Sequence, residues 1–327
     1  LLSFLITKEM DNRVKKVLKI ILVFFLIFVI VLLLTEIALR LIGAVYLKEM
    51  VSEELGSNKG NDTIILAIGE SSTAGLFLDY KDSYPAQFEE LLREKYPNKN
   101  IKVVVPNLMG QNTGQTSNRI KFFVDEYNPK IVVLMVGYNN KWSLAESNLG
   151  EYLHGTDRIK IKTLTALDNL RTFRVLRYAY LALVNKKSDK AYLDRLKNQR
   201  YVWGGPELVQ YPPRQWVYSV DEETFRELWR DDVNNIINII KEHGAKPILM
   251  TYHINPSYLS HGDFEMVAKA QNITLVENDL VFEELMKNGT INDYLLHVDY
   301  WHPNRKGYSV ISKNLFENIV ENRILEK

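Results

Sequence analysis

Residues 63–75 read TIILAIGESSTAG, a short apolar run that ends in a glycine, an acidic residue and two serines. An apolar run bounded by turn residues is typical of a strand that is buried on both faces of a parallel sheet. Four similar runs follow along the chain. The predicted strands are Thr63–Ile68, Ile101–Val105, Ile131–Val136, Pro247–Tyr252 and Ile273–Val276.

Stretches with helical periodicity separate these strands, among them Tyr84–Tyr96, Ser117–Glu126 and Glu222–His243. The alternation predicts an α/β domain of three layers, α/β/α, with a five-stranded parallel sheet in the middle. Ligands of such sheets bind at the carboxyl ends of the strands.

Residues 143–220 fit this alternation badly, because they contain Tyr- and Arg-rich helical stretches at Leu170–Val184 and Tyr192–Arg200. We interpret them as a helical insertion between the third and fourth strands. The insertion forms either a lid or wall over the site, or a helical flank without a functional part.

A second unusual stretch lies near the beginning of the chain, where residues 20–34 are apolar at all fifteen positions. A helix over Ile20–Gly43 would be about 36 Å long, enough to cross a hydrocarbon core of about 30 Å. Glu36 and Arg40 interrupt its far end and stand four residues apart, so we expect them to pair at the membrane interface.

Five basic and two acidic residues precede this apolar stretch. The positive-inside rule then predicts a cytoplasmic segment 1–19, a transmembrane signal-anchor 20–43, a linker 44–61 and an extracytoplasmic domain 62–327 in a single-pass protein of the cell membrane. The alternatives are a helix buried in a core and a cleaved signal peptide, for which residues 42–44 offer only a poor cleavage site.

The overall composition excludes several classes of function. The chain has 327 residues with 41 basic and 40 acidic side chains, and a net charge of +1 produces no field that would attract nucleic acid. It contains no cysteine. Disulfides, thiolate zinc sites, iron–sulfur clusters and a cysteine nucleophile are therefore excluded.

Ser71 is a candidate nucleophile because it directly follows a predicted strand and precedes a predicted helix. Backbone N–H groups point outward at a helix N-terminus, where they can stabilise a developing oxyanion. Thr73 occupies the place of the last glycine in the G-x-S-x-G elbow, so that motif is absent. Taken alone, this pattern also fits a serine that only caps a helix.

Asp299 and His302 are candidate partners for Ser71. They stand three residues apart, so one helical turn places both side chains on the same face. The carboxylate can then orient the imidazole, whose other nitrogen accepts the serine proton. Two alternatives are a metal site formed with His297 and a histidine with a purely structural hydrogen bond.

Four short blocks support the catalytic reading, and they occur at Gly69-Glu70-Ser71, 107–113 (NLMGQNT), 136–140 (VGYNN) and 299–302 (DYWH). Together they resemble the SGNH hydrolases, also called the GDSL family of serine esterases and lipases, over roughly residues 62–324. In this chain Glu70 and Asn140 each replace an aspartate of the family pattern. We expect Glu70 to shift the local helix capping and Asn140 to keep a hydrogen-bonding shape.

The resemblance implies a flavodoxin-like SGNH fold and a role for each matching residue. Ser71 would be the nucleophile, His302 the general base and then acid, and Asp299 the group that orients His302. The backbone N–H groups of Ser71 and Gly110 and the side-chain amide of Asn139 would form the oxyanion hole. Neither a cofactor nor a metal ion is implied.

The predicted function is that of a membrane-anchored extracytoplasmic serine esterase or acyl hydrolase. Its substrates would be O-acyl esters, such as O-acetyl groups, on envelope carbohydrate or lipid. Aromatic side chains could stack on sugar rings, although any one of them could equally pack in the core. The candidates are Tyr138, Trp142 and Trp301, with Trp203 and Trp216 of the insertion.

Two other functions remain open on the sequence. The same machinery would transfer an acyl group to a sugar hydroxyl if that acceptor outcompeted water. A tethered binding or assembly protein with a silent SGNH domain is the other alternative, and the intact set of five site residues argues against it.

Overall fold

A five-stranded, fully parallel sheet forms the centre of the α/β domain, as predicted. The computed structural model describes residues 12–55, 63–106, 108–141, 144, 146–152, 158–184, 220–287, 289, 291–297 and 301–325. The strands are Thr63–Gly69 (β1), Ile101–Val104 (β2), Ile131–Met135 (β3), Lys246–Met250 (β4) and Thr274–Val276 (β5). Their order across the sheet is β2-β1-β3-β4-β5.

The helices include one long N-terminal element and several that connect or flank the strands. They are α1 (Asn12–Leu55), α2 (Ser71–Ala74), α3 (Tyr84–Lys95), α4 (Thr113–Tyr127), α5 (Leu149–Tyr152), α6 (Arg158–Asp168), α7 (Arg171–Val184), α8 (Glu222–Glu242), α9 (His261–Gln271), α10 (Asn278–Lys287) and α11 (Arg305–Glu321). Helix α4 begins one turn earlier than predicted, since Asn112 and Gln115 form a capping box around the polar first turn.

The strand order places the site. The chain moves from β1 to β2 in one direction and then returns past β1 to β3, so right-handed connections put α3 and α4 on opposite faces of the sheet. Helix α4 packs against α8, and α3 packs against α11, which gives the two outer layers. The order reverses between β1 and β3, and crevices at such switch points bind ligands.

The fourth strand ends two residues before its predicted end. The Thr251 N–H still donates to the Val276 carbonyl of β5, but Tyr252 leaves the sheet because its polar groups take other partners. The Tyr252 backbone N–H donates to Asn255 Oδ1, and the Tyr252 hydroxyl donates to the side chain of Glu70. Residues that follow a strand end are thereby directed into the site.

Helix α1 is longer than predicted, and the apolar window of its membrane-length span, Val14–Gly43, contains no buried residue. Phe24, near the middle of the apolar run, is 69% exposed. This exposure contradicts the alternative of a buried core helix. The helix also continues to Leu55, so the stretch 44–61 that was predicted to be a linker is helical in its first part; Gly56 is the first glycine after Gly43.

The insertion lies between β3 and β4, and its described part consists of α5, α6 and α7. The predicted helix Leu170–Val184 is present as α7, whereas the predicted helix Tyr192–Arg200 lies outside the described residues. Glu36 and Arg40 of α1 form the predicted pair, with Nε of Arg40 2.7 Å from Oε1 of Glu36.

Candidate active site

Ser71 and His302 meet at the carboxyl edge of the sheet. The Oγ atom of Ser71 lies 2.9 Å from Nε2 of His302, although the two residues are 231 positions apart in the chain. Ser71 begins α2 directly after β1, and both side chains are partly exposed. This distance is right for proton transfer from a serine hydroxyl to a neutral imidazole.

The His302 loop is held at both of its ends. The His302 carbonyl accepts from the Leu296 N–H at 2.8 Å, and the Asn304 N–H donates to the Tyr294 carbonyl at 2.9 Å. Asn304 also caps α11, because its Oδ1 accepts from the backbone N–H groups of the first turn. The inward face of α11 packs onto the sheet through four fully buried apolar residues: Tyr308, Ile311, Leu315 and Ile319.

Asp299, the predicted orienting carboxylate, lies outside the described residues together with Val298 and Tyr300. Its role therefore stays a prediction.

Phe77 contacts the imidazole of His302, and this neighbour was not predicted from the sequence. Its ring meets the His302 ring edge to face, with centroids 5.6 Å apart and an interplanar angle of 85°. Phe77 has a φ of 74°, a left-handed conformation that is costly for a bulky residue. The turn that follows α2 holds it there, since the Leu78 N–H donates to the Gly75 carbonyl.

The two predicted oxyanion loops are joined to each other. The Asn139 side-chain amide donates to the Gln111 carbonyl at 3.2 Å, next to Gly110. A primary amide has two N–H groups, so a second donor is available for a substrate oxygen. Gly110 is exposed and has a φ of 72°, which explains a glycine by backbone conformation rather than by lack of space.

Gly137 of the same block is required for both space and conformation. Its φ is 130°, and a Cβ atom added there would lie 2.5 Å from the Trp229 ring. The residues that follow it form a short 3₁₀ turn, Tyr138–Lys141, that carries Asn139.

Asn140 supports the oxyanion loops from behind. Its Oδ1 accepts from the Thr113 backbone N–H at 3.0 Å, and its Nδ2 donates to Thr113 Oγ1 at 2.9 Å. The same hydroxyl donates to Asp232 at 2.6 Å, and burial raises the pKa of Asp232 to about 6. An aspartate at position 140 would add a second carboxylate to this buried cluster, so the neutral asparagine suits it.

Glu70 connects three strand ends. It occupies the N-cap position of α2, but its side chain makes no capping hydrogen bond, in line with the expected shift of the capping. It is 2% exposed. Its Oε1 accepts from the Gly137 N–H at 2.7 Å, and its Oε2 accepts from the Tyr252 hydroxyl at 2.6 Å. The Tyr252 oxygen in turn accepts from the Tyr138 N–H at 3.1 Å. Glu70 thus ties the end of β1 to the chain that follows β3 and β4.

Burial dominates the titration of Glu70. Loss of hydration raises its pKa from 4.5 to about 7, although the hydrogen bonds from Tyr252 and Gly137 oppose the rise. Between these two pH values the unfolded chain has lost the proton while the folded chain keeps it. Stability therefore falls as pH rises through this window and is level with respect to this group above it.

We expect the Glu70→Gln variant to lack this fall. From pH 4.5 to 8, the free energy of unfolding of the natural chain should drop by about 3 kcal/mol more than that of the variant. Urea unfolding of the detergent-solubilised chain, followed by tryptophan fluorescence at several pH values, measures the difference. Glu90→Gln, at an exposed position of α3, serves as the control and should follow the natural chain. Equal pH slopes for Glu70→Gln and the natural chain would contradict the prediction.

Tyr138 and Trp301, two of the predicted substrate-binding aromatics, lie together. Their rings meet edge to face with centroids 5.1 Å apart, and Tyr138 also contacts the Tyr252 ring. Trp301 precedes His302 and is 39% exposed, while its carbonyl accepts from Nε2 of His253 at 2.6 Å. The other predicted aromatics, Trp142, Trp203 and Trp216, lie outside the described residues.

Two further supporting residues, Tyr252 and His253, were not singled out from the sequence. The available signal was their position directly after the fourth predicted strand, at the edge where the other site residues converge.

Within the described part of the chain, no group of three or more His, Asp or Glu side chains could hold a metal ion. Asp299 of the alternative metal site lies outside that part.

No protein-family model and no curated protein matches the chain. Solved structures match it in fold. A catalytic mutant of an acetylxylan esterase from Geobacillus stearothermophilus is 15% identical, with 80% of this chain and 94% of the esterase covered and a TM-score of 0.48. A psychrotrophic esterase from Pseudoalteromonas sp. is 12% identical, with 80% and 98% covered and a TM-score of 0.45.

A G-D-S-L family protein from Desulfitobacterium hafniense is also similar, at 16% identity, with 78% of this chain and 99% of that protein covered and a TM-score of 0.42. At such identities and TM-scores the likeness is one of fold alone.

Proposed function

We propose that this chain is a membrane-anchored serine esterase of the SGNH type that hydrolyses O-acyl esters on the outer side of the membrane. The observation that carries the proposal is the 2.9 Å separation between Ser71 Oγ and His302 Nε2 at a switch point of the sheet. The resemblance of the four blocks supports the same reaction, and the paired loops of Gly110 and Asn139 supply its electrostatics.

The reaction follows from the positions of these groups. Nε2 of His302 takes the Ser71 proton as Oγ attacks the ester carbonyl carbon, and the carbonyl oxygen becomes an oxyanion. The Asn139 amide and the backbone N–H groups of Ser71 and Gly110 stabilise that charge, with each donor contributing about 3 kcal/mol. Collapse breaks the bond to the alcohol oxygen, which leaves with the proton from His302.

A water molecule then completes the cycle. His302 takes a proton from the water as its oxygen attacks the acyl-enzyme, and the carboxylic acid is released as Ser71 regains its proton. In this scheme Asp299 holds the second imidazole nitrogen and stabilises the imidazolium that forms twice per turnover.

The surroundings of the site favour a carbohydrate ester as substrate. Trp301 presents an exposed aromatic ring immediately next to His302, and Tyr138 supports that ring from the side. An exposed aromatic surface on the residue that precedes His302 suits stacking on a sugar ring that carries a short acyl group such as acetyl. A domain anchored on the outer side of the membrane meets such substrates in the cell envelope.

The contacts of α1 favour an uncleaved anchor over a signal peptide. Glu36 accepts from the backbone N–H groups of Arg171 and Thr172 and thereby caps α7 of the domain. Cleavage at residues 42–44 would remove this cap. With the basic segment 1–19 on the cytoplasmic side, the domain lies outside the membrane.

Covalent labelling tests the proposed function. The detergent-solubilised chain is expected to react with a fluorophosphonate probe, because the phosphorus is attacked by an activated serine hydroxyl. The Ser72→Ala variant, which changes the buried neighbouring serine, should label equally, whereas Ser71→Ala should not label. Labelling that persists in a folded Ser71→Ala variant would place the nucleophile elsewhere. A folded natural chain that does not label would instead favour the silent binding protein.

A further inference from the structure

Helix α7 presents an apolar face that none of the described elements covers. Val175, Leu176 and Tyr180 are 53%, 58% and 62% exposed, and Ala179 is exposed between them. Positions 175, 176, 179 and 180 lie on one side of a helix, because residues three and four apart are neighbours on its surface. A water-soluble surface rarely gathers such residues together, and a contiguous apolar patch marks a contact with a protein or a membrane.

The beginning of α7 is attached directly to α1. The Glu36 carboxylate accepts from the N–H groups of Arg171 and Thr172 at 3.2 and 2.8 Å, and from the Thr172 hydroxyl at 2.8 Å. The Arg171 guanidinium donates to the Leu39 carbonyl at 2.7 Å. Because the carboxylate satisfies free N–H groups at a helix start, this is a specific cap and fixes where α7 begins.

The turn before α7 makes a further contact with the same part of α1. The Arg40 guanidinium donates to the Asn169 carbonyl at 3.0 Å. Residues 36–40 of α1 therefore bind both the end of the α6–α7 turn and the first residues of α7.

This attachment lies at the expected outer boundary of the hydrocarbon core. A core of about 30 Å takes about 20 residues of helix, so a span that begins at Ile20 ends near Leu39. Beyond that point α1 still exposes Ile42 and Val45, at 65% and 66%. The beginning of α7 thus lies against α1 at the expected depth of the lipid headgroups.

Helix α6, which packs against α7, carries exposed positive charge in its first turns. Arg158, Lys160 and Lys162 are exposed, and Ile159 between them is 80% exposed. Basic side chains near an anionic bilayer are attracted to its phosphates. The combination of basic and apolar side chains is typical of helices that lie in the membrane interface.

We propose that α6 and α7 form a membrane-interfacial element that lies on the outer leaflet beside α1, with the Val175–Tyr180 face in the headgroup region and the α6 cations on anionic lipid phosphates. This inference rests on the proposed anchoring by α1 and adds a second, lateral contact with the bilayer. The occupant assigned to the apolar face is lipid, because Glu36 and Arg40 hold the beginning of α7 against α1 at the expected outer boundary of the hydrocarbon core.

The element also holds the catalytic domain at a set height. Arg174, on the side of α7 away from the exposed face, pairs with Glu146 at 3.4 Å, and Glu146 pairs with Arg119 of α4 at 3.1 Å. The loop that leads into α4 carries Gly110 of the oxyanion hole. Contact of α7 with lipid therefore keeps the active site close to the membrane, where it reaches esters near the bilayer surface.

Single-cysteine labelling of the full chain tests the proposal, and the absence of natural cysteine removes any background. We would place an environment-sensitive NBD fluorophore at Leu176→Cys, at Phe28→Cys in the middle of α1, and at Glu94→Cys on the exposed side of α3. Each chain is reconstituted into vesicles of phosphatidylcholine and phosphatidylglycerol that contain doxyl-labelled lipids. Tyr180→Cys serves as a second position on the same face, and an unchanged thermal unfolding curve shows that each variant is folded.

The labels at Leu176 and Tyr180 are expected to emit at shorter wavelengths than the Glu94 label. They should also show several-fold stronger quenching than Glu94, most strongly by doxyl groups near the headgroups, whereas the Phe28 label should respond most to deep doxyl groups. Quenching at Phe28 with water-like behaviour at both α7 positions would overturn the interfacial element and leave the anchor intact. Absence of quenching at Phe28 would overturn the anchor itself. The label at Leu176 could instead emit at shorter wavelength without quenching by the lipids. If that emission were lost when the protein is diluted in lipid, the face would be assigned to a second copy of the chain.

Discussion

Replacement of Ser71 by alanine is expected to lower kcat/KM for a chromogenic acetate ester by about 10⁵-fold, since the acyl-enzyme route is then lost. The hydroxyl is the atom that bonds to the acyl carbon, and neither His302 nor the oxyanion donors can replace it. The rate at which the detergent-solubilised chain releases nitrophenol from nitrophenyl acetate measures the change. A small rate above that of water should persist, because the oxyanion hole still stabilises direct attack by water.

The Ser72→Ala variant is the matched control for this experiment. Ser72 is the next residue on the same turn of α2 and is buried, so its replacement tests for general damage to the helix start. It should change the rate by less than about threefold, as expected for a buried neighbour that does not touch substrate. A loss of equal size in both variants would indicate a folding defect rather than loss of the nucleophile.

Replacement of His302 by alanine is expected to cause a loss of the same order, about 10⁵-fold in kcat/KM. Without the imidazole nothing within reach accepts the Oγ proton, and serine at its ordinary acidity is a poor nucleophile. The informative measurement is the double variant Ser71→Ala/His302→Ala. Because the two groups act as one unit, the double variant should be no slower than either single variant.

His243→Gln is the control for the histidine substitution. His243 also forms close hydrogen bonds, to the Ile239 carbonyl and to Asp125, but it follows α8 just before β4 begins, at the amino edge of the sheet. Its replacement should leave the ester hydrolysis rate unchanged within about twofold, because it is on the edge opposite to the site. Additive losses for Ser71→Ala and His302→Ala would contradict a shared proton-transfer step.

Local patterns in the sequence were sufficient to predict much of the scaffold. Buried strands such as Ile131–Met135 are apolar throughout, and α11 shows its inward face by the spacing of Tyr308, Ile311 and Leu315. The apolar run 20–34 likewise predicts a helix, and its exposure agrees with its composition. These features depend on neighbours within a few residues, which a sequence displays directly.

The predicted pairing of Ser71 with His302 rests on the place of Ser71 after a predicted strand, on the D-x-x-H spacing and on the resemblance of four blocks to a known family. No local pattern states that residues 71 and 302 lie within hydrogen-bonding distance, because that depends on β1 and α11 meeting at one edge of the sheet. The D-x-x-H spacing suggests that Asp299 orients His302. Asp299 lies outside the described residues, so this role stays a prediction.

The role of Glu70 could not be read from the sequence. Its neighbours in the chain suggested a helix cap, but the side chain instead reaches Gly137 and Tyr252, which are 67 and 182 positions away. A buried carboxylate must find donors wherever the packed sheet supplies them, and the sheet order alone determines which strand ends are adjacent.

The contact between α1 and α7 gives the clearest division between the two kinds of information. The order of residues predicts an apolar helix, a parallel α/β domain and the residue types needed for acyl transfer. The folded chain adds that Glu36 caps a helix that begins 135 positions later and that α7 exposes an apolar face. The reason is physical: periodicity records which face of an element is apolar, whereas the partner of that face is set when the chain closes long loops and brings distant elements together.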